Sequence, residues 1–94
     1  MDKTITIQIG NSDDKLTQKE WSEYWKETCE TISDFELDSH FSAGSNCYAP
    51  WQNHCWVVVA KETDIPALIN RLTEVRKKFN QDSIALTVGD TVFI

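Results

Sequence analysis

The segment His54-Cys55-Trp56-Val57-Val58-Val59-Ala60 is apolar at both parities. Successive side chains of a strand point to opposite faces, so a run without alternation marks a central strand covered on both sides. A chain of 94 residues has room for a single core. One domain spanning residues 1–94 is therefore expected, with every other element arranged around this strand.

Residues 4–9 (TITIQI) alternate with period two and read as a strand with its isoleucines facing the core. Residues 10–15 (GNSDDK) break it with turn formers. A helix follows with complete punctuation. Thr17 is the expected N-cap, Glu20 three residues later completes a capping box, and Leu16 and Trp21 stand at the two positions of a hydrophobic staple. Trp21, Tyr24, Trp25, Thr28, Cys29 and Ile32 recur on one helical face, which predicts core.

Residues 35–42 (FELDSHFS) read as an edge strand with Leu37 and Phe41 inward, and residues 43–53 as a loop. Asp64 and Pro66 open a second helix, whose core face is Ile65, Leu68, Ile69, Leu72, Val75 and Phe79. Arg76, Lys77 and Lys78 complement the dipole at its end. Residues 83–88 form a last strand, and Gly89-Asp90 is expected to turn it into a short C-terminal hairpin with residues 91–94. The order strand, helix, strand, strand, helix, strand predicts an α+β fold: a ferredoxin-like βαββαβ sandwich with a four-stranded antiparallel sheet covered on one face by two helices.

Charge narrows the partners. The formal net charge is −6, and residues 11–38 carry nine acids against three lysines. That balance argues against direct nucleic-acid binding through a basic face. Three cysteines without CxxC spacing indicate neither a disulfide framework nor a zinc site, so no metal and no cofactor is expected. No apolar run reaches the roughly 20 residues of a membrane span, and the N-terminus alternates where a signal peptide would be uniformly apolar. A cytoplasmic protein is expected.

In the predicted topology the loops after the first strand, after the second strand and after the second helix share one end of the domain. They carry Asn11, Ser12, Asp13 and Asp14; Trp51, Gln52 and Asn53; and Gln81 and Asp82. The tryptophan face can stack on a planar ligand. Carboxamides can form paired hydrogen bonds with a base edge, and carboxylates can accept from ribose hydroxyls. The polar residues among these also cap helices and close turns, as Asn and Asp commonly do, so closing the loops is their competing role. The open face of the sheet, bearing either Trp56 and Val58 or Cys55, Val57 and Val59, is too apolar for solvent and predicts a homodimer or higher homo-oligomer.

The segments IGNSDDKLTQKEW (9–21), APWQNHCW (49–56) and QDSIA (81–85) resemble short proteins of bacteriophages, prophages and actinobacteria that have no assigned activity. The resemblance implies a phage-type setting, hence a bacterial host cell, and importance for Asn11, Asp13, Asp14, Trp51, Gln52, Asn53, Gln81 and Asp82. The Cys47-Tyr48 run and His54 depart from the pattern.

Three functions follow as expectations. The first is a non-catalytic counter-defence protein that sequesters a small, nucleotide-like host molecule at the three-loop end. The second is an acidic decoy that binds a basic host protein through Glu20, Glu23, Glu27 and Glu30 on the first helix. The third is a small hydrolase using the loop carboxylates. Asp13 with Asp82 could form an acid–base pair, but no motif fixes that role, and His54 and Cys55 are neighbours on a strand and point apart, so they form no dyad.

Overall fold

The computed structural model describes residues 1–45 and 50–94. The elements are β1 (Asp2–Gly10), α1 (Gln18–Ser33), β2 (Asp38–Gly44), β3 (Asn53–Lys61), α2 (Ile65–Lys78) and β4 (Ala85–Gly89), with a 3-10 turn (Glu62–Asp64) before α2. The strands form one antiparallel sheet in the order β2-β3-β1-β4. This is the βαββαβ arrangement, and the strand that is apolar at both parities is an interior one. Cys47 and the rest of the expected loop at 46–49 lie outside the described residues. Among the described residues, no helix is long and apolar enough to cross a membrane.

Register decides which residues the helices cover. Ile5 stands opposite Val58 and Ile7 opposite Trp56, and all four are buried beneath α1 and α2 with Ile9 and Ala60. The other parity of β3, Cys55, Val57 and Val59, belongs to the face without helices. α1 contributes Tyr24, Thr28, Thr31 and Ile32 to the core, and α2 contributes Leu68 and Leu72. Two ion pairs tie the helices together, Arg71 to Asp34 and Lys78 to Glu27, each at 2.8 Å.

The punctuation of α1 is as the spacing predicts. Thr17 accepts from the Glu20 amide while the Glu20 carboxylate accepts from the Thr17 amide, at 3.2 and 3.0 Å. Those two bonds satisfy donors that a helix start otherwise leaves unpaired. α2 ends in a Schellman motif. Asn80 takes a left-handed φ of 54°, its amide donates to Lys77, and the Gln81 amide donates back to Arg76. Asp64 and Pro66 stand at the start of α2 as expected; Asp64 makes no side-chain cap, because the preceding 3-10 turn holds it in helical geometry.

Two further expectations fail for identifiable reasons. Leu37 and Phe41 do not face the core: they are 51% and 53% exposed. Leu37 precedes β2, and a register shift between Ser39 and Phe41 inverts the parity, setting Phe41 opposite Val57 on the open face. The C-terminal hairpin is absent as well. β4 stops at Gly89, and the tail then crosses the open face. Asp90 pairs with Lys3 at 2.9 Å, the Thr91 hydroxyl bonds that of Thr4, and the Phe93 ring lies 6.0 Å from His40 on the far edge strand.

Candidate functional site

The three loops named from topology do meet. The Asn11 amide donates to the Gln52 carbonyl at 2.8 Å, and Lys15 reaches Asp82 at 3.5 Å. They do not build one site. Asn11 lies buried at the centre of the junction, and both ends of its carboxamide are engaged with the Leu16 backbone, at 3.0 and 3.1 Å. It is a structural clasp that holds the β1–α1 turn against the start of the helix, with no polar group left to read a ligand. Asp14 takes a left-handed φ of 55° in the same turn, and its amide donates to the Asn11 carbonyl.

The remaining residues divide between two depressions. Ser12, Asp13, Gln81 and Asp82 line one of about 320 Å³ beside β1 and β4. Its chemistry is largely consumed internally. Lys15 lies 3.6 Å from Asp13 and 3.5 Å from Asp82, the Asp13 carboxylate also accepts from the Lys15 amide, and the buried Gln81 carboxamide donates to the Phe79 carbonyl. One lysine held between two carboxylates is a loop-closing device and offers no acid–base pair.

Gln52 and Asn53 line a larger cleft, about 500 Å³, between the first turns of α1 and the hairpin ends of β2 and β3. Its other walls are Gln18, Trp21, Ser22 and Trp25 from α1, Gly44 at the end of β2, Ser45 after it, and His54 at the start of β3. The volume falls within the range of small-molecule sites. Gln18 and Gln52 close one side by pairing head to tail across the cleft wall, at 2.6 and 3.3 Å. The wall nearest β3 is aromatic: the His54 ring lies 4.4 Å from Trp56 and 5.6 Å from Trp25. Burial holds the His54 imidazole below the ordinary histidine value, so the ring is neutral near pH 7. Trp51, the expected stacking residue, is half-exposed next to this cleft and does not line it.

Sequence reasoning assigned Trp21 and Trp25 to the core and His54 to a strand end. The available signal was geometric. Tyr24, Thr28, Thr31 and Ile32 form the buried stripe of α1, so aromatic residues flanking that stripe face its margin. Tyr24 itself is sealed in: its hydroxyl has no partner among the described residues, and burial pushes it up to about 12.

The acidic stripe is partly spent. Glu20 is used in the cap, Glu27 binds Lys78, and Glu30 lies 4.0 Å from Lys26. Among the described residues no three His, Cys, Asp or Glu side chains converge on a common point. Cys29 and Cys55 are free thiols, each half-buried.

No family model matches the chain, and no curated protein matches it significantly. Solved structures do share its fold. One is an uncharacterised protein, TM1266, from Thermotoga maritima, 14% identical, covering 93% of this chain and 91% of that one with a TM-score of 0.51. Another is a hydroxynitrile lyase from Passiflora edulis, 12% identical, covering 99% and 96% with a TM-score of 0.52. At these identities the likeness is one of fold alone.

Proposed function

We propose that this chain binds a small, planar, polar molecule in the cleft between α1 and the start of β3, without chemistry of its own. The observation that carries the reading is the composition of that cleft. Two tryptophans and a neutral imidazole supply flat apolar surface, while Asn53, Ser22, Ser45 and the outward-facing atoms of the Gln18–Gln52 pair supply hydrogen-bonding groups around it. A nucleobase has this profile, a π-face with a polar edge. Combined with the phage-type setting that the sequence resemblance implies, the role is counter-defence: stoichiometric removal of a nucleotide-like host molecule. A thermal-shift screen over nucleotides and cyclic nucleotides tests it. At least one should raise the melting temperature in a concentration-dependent way; no shift with any of them refutes the reading.

A second reading concerns assembly. Away from Asp2, Asp38 and Lys61 at one end, the registers place Thr4, Thr6, Gln8, Phe41, Val57 and Thr87 on the open face, none of them charged. On a chain of net charge −6 this is where a second copy approaches without like-charge repulsion. Four strands spaced about 4.8 Å apart and about 25 Å long offer roughly 500 Å² per copy, and the pair then meets the roughly 1,000 Å² expected of a specific interface. We propose a two-fold dimer, sheet on sheet, with the exposed Val92 and Phe93 of the tail adding to its rim.

A further inference from the structure

His54 is held in an unusual way for a residue at a strand start. The Ser42 Oγ lies 2.7 Å from its Nε2. Gly44 stands directly opposite it in the β2–β3 register, and a Cβ on that glycine would sit 3.2 Å from the His54 Nδ1. Glycine therefore leaves open the side of the ring that a larger residue would cap, and Gly44 and His54 both line the cleft. A serine hydroxyl can accept from Nε2–H, and in that tautomer Nδ1 keeps its lone pair. The groups packed around the ring are Trp25 of α1, Ser42 and Gly44 of β2, and Trp56 of β3. None of these is charged, and among the described residues burial is the single cause that lowers the proton affinity of the imidazole.

We propose that the Nδ1 of His54 is the proton-accepting atom of the cleft and selects planar rings that carry an imide-type N–H, with Ser42 as its positioning residue. The proposal rests on reading this cleft as the ligand site, and it narrows the ligand class from any nucleobase to those presenting a weakly acidic ring N–H, as uracil does. Trp25 supplies a neighbouring flat surface, so stacking and the hydrogen bond act on the same ring.

The test compares uridine 5′-monophosphate with its N3-methyl analogue by calorimetric titration near pH 7. The two differ at one position, where a methyl group replaces the proton that Nδ1 would accept. Wild-type protein should favour the unmethylated nucleotide by about tenfold, the range of one net hydrogen bond. Equal affinity for both overturns the role of Nδ1 and leaves the cleft reading standing. Binding of neither, when another nucleotide raises the melting temperature, overturns the imide selection alone; binding of neither when no nucleotide does so overturns both. Imidazole ¹⁵N shifts give an independent readout of Ser42. Wild-type His54 should show the tautomer protonated at Nε2. Ser42→Ala should give a tautomer mixture and a preference falling toward unity, and Ser42→Thr should restore both. An unchanged tautomer and preference in Ser42→Ala removes Ser42 from the proposal.

Discussion

At the scale of single residues, the carboxamides show how one residue type serves opposite purposes. Asn11, Gln52 and Gln81 all sit in loops at one end of the domain, yet only Gln52 lines the larger cleft. Asn11 mimics a strand partner for Leu16, and Gln81 closes the turn after α2. Composition cannot separate these roles, because the distinction is which backbone group lies within 3 Å of the amide. Asn11→Ala should therefore act on stability: it removes two hydrogen bonds and strands buried backbone groups, a loss of about 2 kcal/mol. Urea denaturation measures it, and the same variant should bind ligand normally under conditions where it is folded. An unaltered urea midpoint would show that the clasp contributes nothing.

At the scale of elements, the legible parts were those governed by short-range rules. The capping box, the alternation of β1 and the apolar stripe of α2 depend on neighbours within four residues, and each is present at the predicted place except that Ile69 of the stripe is exposed. What escaped depends on a pairing partner. The parity of Phe41 is inverted by a register shift that only β3 reveals, and the tail avoids a hairpin because β1 and β2 offer it contacts across the sheet. Trp25 reads as core by spacing, but it stands at the margin of the helix face and walls the cleft.

The cap of α1 makes a prediction at this scale. Thr17→Ala should cost about 1 kcal/mol in chemical denaturation. The backbone amide of Thr17 holds the Glu20 carboxyl below its ordinary value of 4.5. With the folded-state value depressed, the contribution of Glu20 is fully present above 4.5 and is lost as pH falls through the folded value. The stability gap between wild type and Glu20→Ala should accordingly shrink as the solution is acidified. A gap that holds constant from pH 7 to pH 3 would mean that the carboxylate plays no part.

At the scale of the whole molecule, the two faces of the sheet do different work. One is closed by α1 and α2, and their upper margin with β3 leaves the cleft. The other is uncharged over most of its area, and the tail crosses only one end of it. Val57→Lys places a charge in the middle of that open face, on the side of the sheet opposite the helix-covered core. It should convert the proposed dimer to a monomer in light scattering while leaving the circular-dichroism spectrum unchanged. A wild-type protein that is already monomeric at high concentration would contradict the sheet-to-sheet assembly.

The central claim is that the α1–β3 cleft holds a planar ligand against tryptophan. Its most direct measurement is calorimetric titration of whichever nucleotide gives the largest thermal shift, performed on wild type, Trp25→Ala and Trp51→Ala. Loss of one stacked base contact corresponds to about 1–3 kcal/mol, so Trp25→Ala should weaken binding roughly tenfold or more while Trp51→Ala stays near wild type. Binding that survives Trp25→Ala intact and collapses in Trp51→Ala would move the site out of the cleft and contradict the account.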